Sequence, residues 1–183
     1  MPSVFESEIK SGRFTLLAAL TVEPKLSLSG ELERAFEAHH ALVFRTAYRI
    51  TGNAADAEDV LQTIFLRLLR RQERDAVENE ESYLRRAAVN ASLDLIRARR
   101  EDQAELGEIS SGGRGPDGGE LRAALRRALG RLNPKSAEIF SLRFLEGFSN
   151  QEIARLLGIS RVLVAVSVHR ARRQLQHELR DYR

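Results

Sequence analysis

From Ser110 to Gly119 the chain reads Ser-Ser-Gly-Gly-Arg-Gly-Pro-Asp-Gly-Gly, with no apolar side chain. A stretch like this offers nothing to bury and glycine at half its positions, so it reads as a flexible linker. It divides the 183 residues into two small domains. The resulting plan is an irregular N-terminal extension at 1–30, a domain at 31–100, an acidic glycine-rich linker at 101–119 and a second domain at 120–183. Apolar residues make up 43% of the chain, enough for a buried core in either arrangement. Cysteine is absent, which excludes disulfides, thiolate chemistry and cysteine-based metal sites, leaving packing as the source of stability. No run of about 18 apolar residues exists to span a membrane, and Glu6 and Glu8 ahead of the short patch Phe14–Leu20 make a poor signal peptide. A cytoplasmic protein without membrane insertion is expected.

Both domains carry helical periodicity, so the fold class is all-α. In the first, Ala57, Val60, Leu61, Ile64, Phe65, Leu68 and Leu69 recur at the spacing of an amphipathic helix, with Asn53 placed to cap it and Asp56 in its first turn. An earlier helix carries Leu32, Phe36, Val43, Ala47 and Ile50, and a later one Leu84, Ala87, Ala88, Ala91 and Leu95. Three such helices enclose a small core. The second domain reads as four shorter helices. A stripe of Leu121, Leu125, Ala128, Leu129 and Leu132 is followed by Asn133-Pro134, an N-cap with proline at the first helical position. The helix opened there carries Ala137, Phe140 and Phe144 and should stop near Gly147. Ser149-Asn150-Gln151-Glu152 is a capping box, Gly158 ends the helix it opens, and Ser160 is placed to cap the last, longer helix.

Ala154 and Gly158, flanked by Ile153, Leu157, Ile159 and Val164, have the spacing of a helix-turn-helix, in which alanine lets the helices approach and glycine takes the positive φ of the turn. On the last helix Val164, Val168, Ala171 and Leu175 form the inward stripe. Arg161, Val162, Ala165, His169, Arg172 and Arg173 then face outward, towards a major groove, while Arg170, Arg172 and Arg173 suit phosphates. Charge agrees with this. Residues 120–183 hold 13 Lys+Arg against 6 Asp+Glu, whereas 31–100 hold 12 of each, and a cationic excess favours a polyanion by releasing its counterions. A solvated basic face would show the same excess. On the later helix of the first domain, Arg86, Asn90, Asp94 and Arg97 share one face, with Asp94 also placed to pair with Arg97 within the helix. His39-His40 lacks a third ligand at metal spacing. No nucleophile with a base, no phosphate loop and no metal motif appears, so neither an enzyme nor a cofactor is expected.

The segment Gly-Asn-Ala-Ala-Asp-Ala-Glu-Asp-Val-Leu-Gln, residues 52–62, resembles the core-polymerase-binding helix of extracytoplasmic-function sigma factors. Ser82 to Asn90, with Asp94, Arg97, Arg99 and Arg100, is similar to the family's helix that opens the minus-ten element. Leu145–Ser149 through Gly158–Ser160 and His169–Arg172 resembles the domain that reads the minus-thirty-five element. The resemblance covers about Glu31 to Leu179 and implies sigma region 2 at 31–100 and region 4 at 120–183. It implies core binding through Asp56, Asp59, Gln62 and Leu66, to the coiled-coil clamp of the largest polymerase subunit. Minus-ten contacts fall on Asn79, Tyr83, Arg86, Asn90, Asp94, Arg97 and Arg100, with the acidic loop from about Arg74 to Glu81 receiving a flipped base. Minus-thirty-five contacts fall on Ser160, Arg161, Val162, Ala165, His169, Arg170, Arg172 and Arg173. The implied partners are RNA polymerase core, promoter DNA and an anti-sigma protein.

One departure stands out. Leu163, Ala165 and Ser167 replace the threonine and basic residues usual in the family, so most hydrogen-bond donors are missing from the first turns of the recognition helix. Val162, Leu163 and Val166 can touch thymine methyls; alternatively the surface reads backbone and shape, or meets a protein. Two other readings of the whole chain stay open at this point. One is a helix-turn-helix regulator of the response-output type, and the other is an interaction module that sequesters another factor.

Overall fold

The computed structural model describes residues 26–70, 79–105 and 119–182. Seven α-helices occupy them: α1 Leu26–Thr51, α2 Ala54–Arg70, α3 Glu80–Glu105, α4 Gly119–Arg131, α5 Pro134–Phe144, α6 Asn150–Leu157 and α7 Arg161–Glu178, followed by a 3-10 turn at Arg180–Tyr182. No strand occurs among the described residues. Helix α1 starts at Leu26, ahead of the Glu31 boundary, and α3 continues past Arg100 to Glu105. The linker from Ser110 to Gly118 lies outside the described residues, as do Met1–Lys25 and the loop from Arg71 to Glu78.

Local signals fix most helix ends. Asn53 Oδ1 accepts from Asp56 N at 3.2 Å and starts α2. Asn79 Oδ1 accepts from Ser82 N at 2.9 Å and starts α3. Asn133 caps α5 with Pro134 at its first position. Ser149 and Glu152 form the reciprocal capping box of α6, and Ser160 Oγ accepts from Leu163 N at 3.2 Å to start α7. Each cap satisfies amide donors that a helix start leaves without partners. Gly158 closes α6 at φ 64°, a conformation that costs a residue with a Cβ about 1–2 kcal/mol.

One buried cluster belongs to the first half alone: Ala35, Val43, Ala47, Ala57, Val60, Leu61, Ile64, Phe65, Leu84, Ala88 and Ala91 knit α1, α2 and α3 together. The other crosses the division. Ile50, Val89 and Leu93 of the first half pack with Leu129, Leu132, Ile139, Leu142 and Ile153 of the second. The two halves therefore dock, with α4 and α5 lying against α3. At the seam Gly130 is so close to Ile96 that a Cβ on it would stand 3.1 Å from Ile96 Cγ2. This seam also explains α5, where Ala137, Glu138, Ile139, Ser141 and Leu142 are all buried. A helix covered on two sides loses the single apolar stripe that periodicity detects, so Ile139 and Leu142 are core positions that the stripe did not mark, while Phe144 is exposed.

Candidate nucleic-acid and polymerase interfaces

Helix α2 turns its apolar stripe to the first core and leaves Asp59, Gln62 and Leu66 in solvent, Leu66 at 43% exposure. Asp56 is different. It is buried and takes both guanidinium nitrogens of Arg99, one at 2.6 Å from its Oδ2. It thus ties the start of α2 to α3 rather than standing with the exposed strip.

On α3, Asn79 serves as the N-cap and half-buried Tyr83 packs against the first core. Arg86 and Asn90 meet on one carboxylate of the second half: Arg86 Nε donates to Glu138 Oε1 at 2.7 Å and Asn90 Nδ2 donates to the same oxygen at 3.1 Å. Lys135 Nζ donates to Glu138 Oε2 at 3.1 Å. Arg86 Nη1 also reaches Leu156 O, at the end of α6, at 3.3 Å, and Arg100 Nη1 reaches Gly130 O at 3.2 Å. Asp94 is exposed and holds Arg97 Nη1 at 3.0 Å, while Nε and Nη2 of Arg97 are buried without a hydrogen-bond partner among the described residues. Burial pushes the Glu138 carboxyl upward, but the hydrogen bonds from Arg86, Asn90 and Lys135 outweigh it and hold the group below the usual carboxylate range.

A second carboxylate of the second half, Glu146, also takes donors from the first. The Glu146 side chain is fully enclosed; Oε2 accepts from Thr46 Oγ1 at 2.9 Å and Arg85 Nη1 at 2.9 Å, and Oε1 from Arg49 Nη1 at 3.0 Å. Burial lowers the Arg85 guanidinium, yet its bonds to Glu81 and Glu146 leave it raised overall. Glu138, Thr46 and Arg49 lie outside every segment that the sequence singles out, and Arg85 and Glu146 lie within such segments but were given no role of their own. The one available signal was a glutamate between the apolar Ala137 and Ile139.

The second half presents its helix-turn-helix freely. Ser160 is consumed as the α7 cap, and Arg161, Val162, Ala165, His169, Arg170, Arg172 and Arg173 are all exposed. Val162, Val166, His169 and Arg173 fall on one face at i, i+4, i+7 and i+11. At the N-terminal end of that face Val162 is 73%, Leu163 49% and Val166 39% exposed. Arg172 stands at its edge, over a groove lined by Leu121, Leu125, Phe140 and Leu179.

A capped helix with an apolar tip and a cationic shaft, set after a tight glycine turn, gives the second half the form of a helix-turn-helix DNA-binding domain. Residues 35–101 match the family described as Sigma-70 region 2, and residues 122–175 match Sigma-70, region 4. The chain is 33% identical over 153 residues to the ECF RNA polymerase sigma factor SigE of Mycolicibacterium smegmatis, a match covering 79% of this chain and 58% of that relative. It is 31% identical over 155 residues to the RNA polymerase sigma-E factor of Streptomyces coelicolor, covering 81% of this chain and 86% of the relative. It is 32% identical over 160 residues to the ECF RNA polymerase sigma factor SigL of Mycobacterium tuberculosis, covering 80% and 87%. In fold it is similar to the sigma factor RpoE crystallised with the anti-sigma factor NepR from Bartonella quintana, with TM-score 0.52, 22% identity and coverage of 84% of this chain and 99% of that one. The chain belongs to the extracytoplasmic-function sigma factors of the sigma-70 family.

Proposed function

We propose that this sigma factor docks on the coiled-coil clamp of the largest subunit of core RNA polymerase through Asp59, Gln62 and Leu66, with Asp56 holding that helix in place through Arg99. A helical strip that mixes acid, amide and leucine suits a partner helix. The α3 face then engages the opened minus-ten DNA: Arg86, Arg97 and Arg100 take phosphates, Asn90 meets a base edge or the backbone, Asp94 orients Arg97, and Asn79 and Tyr83 border the pocket for a flipped base. The second half binds the minus-thirty-five element. Arg161 at the start of α7, together with His169, Arg170, Arg172 and Arg173, supplies charge. Val162 and Val166, with Ala165 beside them, meet thymine methyls, and Ser160 holds the helix start.

The observation that carries this reading is the exposed apolar tip of a capped recognition helix, set in a basic surround: the apolar contact fits thymine and the charge fits phosphate. An anti-sigma protein is the natural antagonist, supported by the complex in which the Bartonella quintana relative was crystallised. The direct test is binding of the labelled full chain to core polymerase. Tight binding that Leu66→Asp weakens at least about tenfold, or 1.4 kcal/mol, is the expected result. No binding to core by the unaltered chain overturns the proposal.

A further inference from the structure

We infer that His39 of α1 is a positioning residue for the minus-ten pocket: its cationic imidazole holds the first turn of α3 through Glu80, so that capture of the flipped base strengthens as pH falls through the histidine range. This rests on the role proposed for Asn79 and Tyr83 at that pocket.

The two adjacent histidines of α1 have different surroundings. His40 is engaged within its own helix: Nδ1 lies 3.0 Å from Phe36 O, and the ring stacks on that of Phe36 with 5.1 Å between centroids. His39 turns to α3 instead, with Nε2 3.6 Å from Glu80 Oε2. The His39 side chain is largely buried, at 22% exposure, and that of Glu80 is half exposed, so water screens the pair only in part.

Glu80 stands between the two residues that border the pocket. Asn79 Oδ1 accepts from Ser82 N at 2.9 Å and Asn79 O accepts from Tyr83 N at 3.1 Å, which places Asn79, Glu80 and Tyr83 in one turn. A first turn is where a helix opens most readily, because its amides lack the bonds of the interior. Asn79 secures this turn from within α3, and Tyr83 packs against the first core. His39 adds a charged tether from another helix. That helix is itself fixed to α2, where Phe36 meets Phe65 edge-on with 4.9 Å between centroids.

The tether changes strength with protonation. Histidine gains or loses its charge between about pH 5 and 8, a range in which carboxylates are ionised throughout. The charged groups facing His39 from α3 are Glu80 and Glu81. The residues one turn away on α1, namely Ala35, Phe36, Leu42 and Val43, are apolar, and no ion pair joins His39 to α2 among the described residues. Glu81 is held below the usual carboxylate range, first by the hydrogen bond and charge of Arg85 and in smaller part by the charge of His39. A proton on the imidazole thus meets two acids and no opposing cation on α1, so it tightens the hold on the turn; its loss as pH rises relaxes that hold.

The test uses holoenzyme made from core polymerase and the full-length chain. The probe is a single strand bearing the non-template minus-ten sequence of a promoter the holoenzyme transcribes, with 2-aminopurine at the flipped position. Such a strand lacks the upstream element, so His169 and His177 of α7 do not contribute. At about pH 6 the unaltered chain should bind it about two- to fivefold tighter than His39→Gln, the range a partly exposed ion pair supports, and at about pH 8 the two should converge. His39→Lys, cationic at both values, should keep the advantage at both. Glu80→Gln should remove most of it with His39 in place. Comparing proteins at one pH cancels the response of polymerase itself. The inference is overturned if the ratio of unaltered chain to His39→Gln is the same at both values. It is equally overturned, whether or not His39→Gln folds, if Glu80→Gln keeps the full pH dependence of the unaltered chain. Capture of the strand without the predicted pattern refutes the role of His39 alone, whereas no capture at either pH refutes the minus-ten role of α3 and the positioning role with it.

Discussion

Replacing thymine by deoxyuridine in the upstream element removes one methyl group and leaves every hydrogen bond of the base intact. If Val162 and Val166 read thymine methyls, that single change weakens binding. Val162 is 73% exposed in the free protein, so nearly all of its side chain is available for burial on docking. One fully buried methyl contributes about 0.8 kcal/mol, which corresponds to about fourfold in affinity. Val162→Ala removes two methyl-sized groups from the other side of the contact and should cost about 1–1.5 kcal/mol, or roughly tenfold. The two losses must not add. Once Val162 is truncated the uracil penalty should shrink towards nothing, because the partner of the missing methyl has gone. The assay is holoenzyme binding to a promoter duplex scanned with single uracil substitutions, measured by fluorescence anisotropy for the unaltered chain and for Val162→Ala. Methyl recognition is refuted if no uracil position weakens binding, or if the penalty at the sensitive position is the same in both proteins. Arg161→Ala supplies the contrast: loss of a phosphate contact weakens binding to all sequences alike and lowers the salt dependence by about one unit of slope.

Gly158→Ala places a Cβ at φ 64° with nothing within 4 Å of it, so its cost is conformational alone: about 1–2 kcal/mol, or some 2–8 °C in the melting of the chain by circular dichroism, with Gly158→Asn costing less. Glu138 is held below its ordinary range, so the stabilisation it provides is complete above the unfolded carboxylate value and is lost as pH falls through the lower folded value. Its charged neighbours, Arg86 from α3 and Lys135 from its own helix, stay cationic throughout that window. Stability should therefore decline below about pH 4.5 in the unaltered chain and decline less steeply in Glu138→Gln, as followed by acid titration of the near-ultraviolet signal. Arg99→Ala strands the buried Asp56 carboxylate at the start of α2. It should destabilise the first half by about 1–3 kcal/mol, the solvent access of Arg99 keeping the loss at the lower end for a broken pair, and chemical denaturation measures it.

The features legible in the sequence are those fixed by neighbours along the chain. Asn53, Asn133, Ser149 and Ser160 cap helices because a short polar side chain reaches an amide two or three residues on, and Gly158 turns the chain because it lacks a Cβ. Stripes such as Val60, Leu61, Ile64 and Phe65 are equally local, and the helix-turn-helix is built from such pieces. What was hidden depends on residues far apart. Glu146 meets Arg85 across 61 positions, Glu138 meets Arg86 across 52, and Asp56 meets Arg99 across 43. Docking of the halves rests on α5 being covered on two sides, which erases its periodicity. The outward placing of Val162, His169 and Arg173 on α7 was legible by position, and Arg86, Asn90, Asp94 and Arg97 were legible as one face of a helix. That the second half covers the α3 face was not.

The central claim is that this chain turns core RNA polymerase into a promoter-selective enzyme. Run-off transcription on a genomic promoter library, with permanganate probing of unpaired thymines, tests it most directly. The account predicts discrete transcripts and reactive minus-ten thymines on a subset of templates, both requiring the chain and both weakened by Arg86→Ala and by Leu66→Asp. Core polymerase that initiates identically with and without the chain, and leaves those thymines unreactive, would contradict it.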